Sequence, residues 1–182
     1  MFRTLSLGIC FVIAAIVPAA AQARRYNLGR SATTEEIRAR DISVAPDGTG
    51  LPAGSGTAAQ GRAVYKAKCA TCHGERGVGS ADFPALVGGR GTLASDKPLP
   101  TVGSYWTYAT TLWDYIRRAM PYQRPGSLRP DEVYSVTAYV LFMNGIVAQR
   151  QELSKESLPK VRMPNHDGFI PDRRPDVQSS VK

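Results

Sequence analysis

Cys69-Ala70-Thr71-Cys72-His73 places two thiols three positions apart and a histidine directly after the second. This C-x-x-C-H spacing is the attachment signature of c-type haem. Two sulfurs so spaced can form thioethers to the two vinyl groups on one edge of a porphyrin, with His73 beneath the iron as proximal ligand. Two other C-x-x-C chemistries fit less well. A redox dithiol needs a strand-helix-strand setting and no histidine at the next position. A structural zinc site needs four ligands, and beyond Cys72 the chain offers no further cysteine and, as its other histidine, only His166. The motif therefore implies one covalently bound haem c and an electron-carrying role.

Outward from the motif the chain reads as helical. Thr57 can cap a helix carrying Gly61, Val64 and Tyr65, which delivers Cys69 to His73 at its C-terminal end. Gly74, Gly77, Gly79, Gly88, Gly89 and Gly91 then crowd a loop where the backbone must turn tightly. Residues 110 to 119 read as a helix with Leu112, Tyr115, Ile116 and Ala119 on one face, ended by Pro121. The strongest helical pattern covers 131 to 144: Pro130 at the first position, Asp131 and Glu132 in the first turn, Val133, Val136, Val140 and Met143 at helical spacing, and Gly145 beyond the end. Arg129 occupies the cap position although its side chain carries no acceptor.

Both ends differ from this middle. Residues 1 to 23 carry Arg3, an apolar run from Leu5 to Val17, and Ala21-Gln22-Ala23, the pattern of a cleavable export signal with cleavage after Ala23. Export agrees with the motif, since haem is attached to C-x-x-C-H outside the bacterial cytoplasm; the expected location is the periplasm. The mature chain would keep Cys69 and Cys72, both consumed by haem, so no disulfide is expected. Residues 24 to 56 read as an N-terminal extension: a short helix beginning near Thr34-Glu35-Glu36, then a Gly- and Pro-rich stretch from Ala45 to Gly56. Residues 57 to 149 form the haem domain. Residues 150 to 182, with Pro159, Pro164, Pro171 and Pro175, read as an irregular C-terminal arm. The length suits one domain. Twenty-three Lys and Arg against 15 Asp and Glu give a formal charge of +8. No basic helix or basic-aromatic interleaving points to nucleic acid, so the charge fits docking onto an acidic protein partner.

This layout resembles the class I cytochrome c fold, an all-α fold in which the first and last helices cross at close range. Gly61, Tyr65 and Tyr139 match the glycine and aromatics of that crossing. The resemblance implies that Pro84, in Phe83-Pro84-Ala85-Leu86, offers its carbonyl to His73 and fixes its tautomer. It also implies a methionine as sixth iron ligand. Met120, in Met120-Pro121 ahead of the last helix, is the choice, with Met163 of Met163-Pro164 as the alternative and His166 as a weaker one. Arg90, Arg117, Arg118, Tyr105, Trp106 and Tyr108 are candidates to contact the propionates.

A narrower resemblance covers most of the mature chain. Leu86-Val87-Gly88-Gly89, Thr101-Val102-Gly103-Ser104-Tyr105-Trp106, the run from Tyr108 to Pro121, and Met163-Pro164-Asn165 with Asp167-Gly168-Phe169 look like the cytochrome subunit of sulfite and sulfur dehydrogenases. That resemblance implies a periplasmic partner with a molybdenum centre. The partner would oxidise a sulfur compound, while the haem would accept electrons singly and pass them to a downstream cytochrome or oxidase. A single C-x-x-C-H favours the monohaem sulfite type. The two extensions become candidates for wrapping that partner. A free electron shuttle and the haem subunit of an alcohol or aldehyde dehydrogenase are the competing expectations.

Overall fold

The computed structural model describes residues 28–170 together with Arg174. The leader, its cleavage site, Pro171 and Pro175 lie outside them. Five helices carry the described chain: α1 (Thr34–Arg40), α2 (Ala58–Lys68), α3 (Ala70–His73), α4 (Ala109–Ala119) and α5 (Pro130–Met143). The all-α expectation holds, with the addition of two three-residue strands, β1 (Ser55–Thr57) and β2 (Glu152–Ser154).

Helices α2 and α5 start where the sequence supplies acceptors, whereas α4 starts after Tyr108 without a side-chain cap. At α2, Thr57 Oγ1 accepts from the Gln60 amide and the Gln60 side chain accepts from the Thr57 amide, so two otherwise unpaired donors are satisfied. At α5 the Arg129 amide donates to the Glu132 carboxylate at 2.9 Å, which compensates for a cap residue without an acceptor. Pro130 fills the first turn, where its missing N–H costs nothing.

The most extensive helix contact is α2 against α5. It depends on Gly61, because a Cβ there would overlap the Ser135 carbonyl. One turn on, the Tyr65 and Tyr139 rings meet at 5.2 Å between centroids, as the fold resemblance implies. Helix α4 packs on α5 through Trp113, wholly buried and 5.2 Å from the Tyr134 ring. Helix α4 is covered on two sides: Leu112 and Ile116 are buried, whereas Tyr115, predicted on the same face, is exposed at the rim of a cleft.

The extensions depart from expectation. Ser55–Thr57 pairs antiparallel with Glu152–Ser154, Gly56 opposite Leu153. This ladder brings the two expected irregular segments together against α5. Leu153, Leu158 and Met163 are fully buried, so the arm to residue 163 is part of the core. On the N-terminal side Val44 and Leu51 are buried, the Val44 amide donates to Asp114 at 3.1 Å, and the Tyr134 hydroxyl donates to the Pro52 carbonyl at 2.9 Å. Periodicity could not reveal this, since the buried residues are spaced irregularly and pair across about a hundred positions of sequence. Helix α1 is the exception: it has a complete capping box and no buried residue.

Candidate haem site

The capped helix α2 ends at Lys68, and the chain turns at once into the single turn α3 that holds the motif. The Cys72 and His73 amides both donate to the Cys69 carbonyl, which winds the five residues tightly enough to gather Cys69, Cys72 and His73 on one wall of a cleft. Burial pushes the Cys69 thiol up to about 11. A neutral sulfur suits that apolar setting, as a thioether would.

His73 Nδ1 lies 3.0 Å from the Pro84 carbonyl oxygen. The carbonyl can only accept, so the proton sits on Nδ1 and Nε2 keeps its lone pair for a metal. The proline expected from the fold resemblance thus occupies its place. The loop that brings it there is closed by the Gly79 amide on the His73 carbonyl (2.9 Å) and by the Leu86 and Val87 amides on the Gly77 carbonyl (2.8 and 3.1 Å). All six glycines singled out in this region take positive φ. At Gly79 the constraint is double, because a Cβ would also sit 2.7 Å from the Phe83 carbonyl oxygen and the Ala85 amide nitrogen.

The same cleft is lined by Leu112, Tyr115, Ile116 and Met120, from α4 and its C-terminal cap, and by Val136 and Val140 of α5. The cleft encloses about 420 Å³. Among the described residues Met120 is the methionine that lines it. Two thiols and a ring nitrogen on one wall, a thioether among the lining groups and otherwise mostly apolar side chains form a donor set that fits a covalently held haem.

Several expected contacts fall elsewhere. Met163 is buried in the arm and lines a second groove with Arg90, Asn165 and His166. Arg90 does not line the cleft; its guanidinium donates to the Asn144 carbonyl at 3.1 Å, at the end of α5. Tyr105 points its ring at Phe169, 5.3 Å away, while its carbonyl accepts from Asn165. Tyr108 stacks edge-on against His166. Arg117 lies over the Trp113 ring and Arg118 pairs with Asp114. Trp106 does line the cleft, edge-on to Tyr115 at 5.7 Å. Sequence reasoning did not anticipate Lys68, Tyr122 or Gln123, which also line it. Lys68 follows the apolar face of α2 into the motif and was the one with a readable position.

Comparison with known proteins adds three findings. A family model described as cytochrome c oxidase, cbb3-type, subunit III, matches residues 56–140. The crystal structure of the sulfane dehydrogenase SoxCD from Paracoccus pantotrophus contains a chain 43% identical to this one, with a TM-score of 0.75, over 82% of this chain and 74% of that one. Among curated proteins none matches.

Proposed function

Because this chain belongs to the family of c-type cytochrome subunits of sulfur-compound dehydrogenases, we propose that it carries electrons from a molybdenum subunit that oxidises sulfite to a downstream cytochrome or oxidase, in the periplasm. The observation that carries the reading is the gathering of Cys69, Cys72, His73 and Met120 in one cleft of a chain 43% identical to one in a sulfane dehydrogenase. When bound, haem c supplies a one-electron iron couple, whose potential is set by its axial ligands and surroundings.

The chain's own residues do the rest. Cys69 and Cys72 would hold the group covalently, and His73 would present Nε2 to the metal. The Pro84 carbonyl keeps the proton on Nδ1 and makes the imidazole a stronger donor. Met120 would offer its thioether sulfur to the iron; a soft thioether favours the ferrous state and a high potential. Leu112, Ile116, Val136 and Val140 keep water out. No acid, base or nucleophile is asked of this chain, so substrate chemistry belongs to the partner. Among the described residues no helix is long and apolar enough to cross a membrane. The export pattern of residues 1 to 23 supports periplasmic placement.

A second reading has its own support: the similarity to a sulfane dehydrogenase favours a sulfane-sulfur substrate over sulfite. Anaerobic addition of sulfite or of a sulfane compound to the native complex, with the haem initially ferric, separates the two. Ferrous bands should appear with sulfite under the first reading and with the sulfane compound alone under the second. Reduction by neither would remove both.

A further inference from the structure

We propose that Asn144 is a positioning residue for the haem ligand His73, acting through the loop that carries Pro84. The inference rests on the haem reading of the Cys69 to His73 motif and adds to it a residue outside the cleft lining.

Asn144 caps the C-terminus of α5. Its Nδ2 donates to the Leu86 carbonyl at 3.1 Å and to the Val140 carbonyl at 2.9 Å. Both neighbours are carbonyls that can only accept, so the orientation of the carboxamide is settled and both its protons are used. The oxygen faces Gly103, where a Cβ would collide with the carboxamide, so the 101–104 turn closes the other side. Arg90, reaching from the far end of the same loop, donates to the Asn144 main-chain carbonyl.

The route to the iron ligand is short. Leu86 lies two residues beyond Pro84, and its amide is fixed on the Gly77 carbonyl at 2.8 Å. Helix α5 thus grips the loop at Leu86 through a side chain, and the loop presents the Pro84 carbonyl to His73 Nδ1. The bonds within residues 73 to 87 do not tie Pro84 to the rest of the fold, and beyond Leu86 the next outside anchor is the Gly88 carbonyl, which accepts from Thr101 Oγ1 at 2.6 Å, so Asn144 is the outside grip nearest to Pro84 on that side. Tyr65 holds the opposite end, donating to the Gly74 carbonyl at 2.8 Å. Releasing Leu86 should lengthen the Pro84 to His73 bond, make the imidazole a weaker donor and favour the ferrous state.

The test uses the full-length haem-loaded protein. Asn144→Leu keeps the branching of the side chain and removes the donor. Leu153→Ala, in the strand pair, serves as a variant that destabilises the same fold elsewhere. For Asn144→Leu the reduction potential should rise, and exchange of the His73 Nδ1 proton, followed by NMR, should accelerate by about tenfold or more. Leu153→Ala should lower the melting temperature and leave both readings alone. If Asn144→Leu does not fold, Asn144→Ser, whose hydroxyl is too short to bridge to Leu86, should give the same two changes. A lower melting temperature with potential and exchange unmoved would overturn the proposal and reduce Asn144 to packing. Absence of bound haem in the unaltered protein is a separate outcome, and it would remove the haem reading itself.

Discussion

Met120 and Met163 share the dipeptide Met-Pro and end in different surroundings, one lining the cleft beside the motif histidine and the other buried in the arm's core. Their alanine variants should therefore fail in opposite ways. Met120→Ala should lose the thioether-to-iron absorption at the red end of the ferric spectrum and lower the potential, at little cost in folding. Met163→Ala should keep that spectrum and lose about 2–5 kcal/mol of stability to denaturant, as a fully buried methionine does. The burial of Met163 leaves no local signal in the sequence, because the groups around it come from distant parts of the chain. The propionate candidates show the converse. Arg90, Tyr105 and Tyr108 were plausible by residue type, yet type alone does not say which wall a side chain faces. A pH dependence also belongs at this scale. Burial pushes the hydroxyls of Tyr65 and Tyr134 up to about 12 from an ordinary 10.0. The unfolded chain therefore loses these protons first. Their contribution is complete below about pH 10 and is lost as pH rises to about 12. Denaturation midpoints measured across that window should fall, and the Tyr65→Phe, Tyr134→Phe double variant should fall less steeply.

At the scale of elements, the helix starts and stops were readable because they rest on local chemistry. Thr57 and Gln60, Pro130 and Glu132, and Pro121 act within a few residues of the boundary they set. Helix α1 begins at Thr34, where the Thr34-Glu35-Glu36 stretch suggests a start, and the Thr33 hydroxyl caps it. The β1–β2 ladder was not readable: three-residue strands show no alternation, and nothing near Ser55 names Ser154 as its partner. The α2–α5 crossing gives the sharpest prediction for packing. Gly61→Ala puts a methyl group into the Ser135 carbonyl, and neither backbone can yield without separating the helices. The variant should lose several kcal/mol of stability or fail to accumulate, as circular dichroism and denaturation would report.

For the whole molecule, the two extensions fold largely back onto the domain they flank. Deleting residues 151–182 removes Leu153, Leu158 and Met163 from the core. The shortened chain should melt well below the full-length protein even without any partner, as thermal unfolding would register; two free tails would leave the melting temperature unchanged. Partner contact is better sought at α1, which is capped but buries nothing, and around the cleft mouth, where Phe83, Tyr115 and Tyr122 are exposed. The formal charge of +8 fits an acidic partner. The central claim, that this haem protein serves a molybdenum dehydrogenase, is tested most directly by metal analysis of the protein purified gently from its native source under sulfur-oxidising growth. Molybdenum copurifying in amounts comparable to haem iron is the predicted result. Haem iron without molybdenum would contradict the account and leave a free electron shuttle.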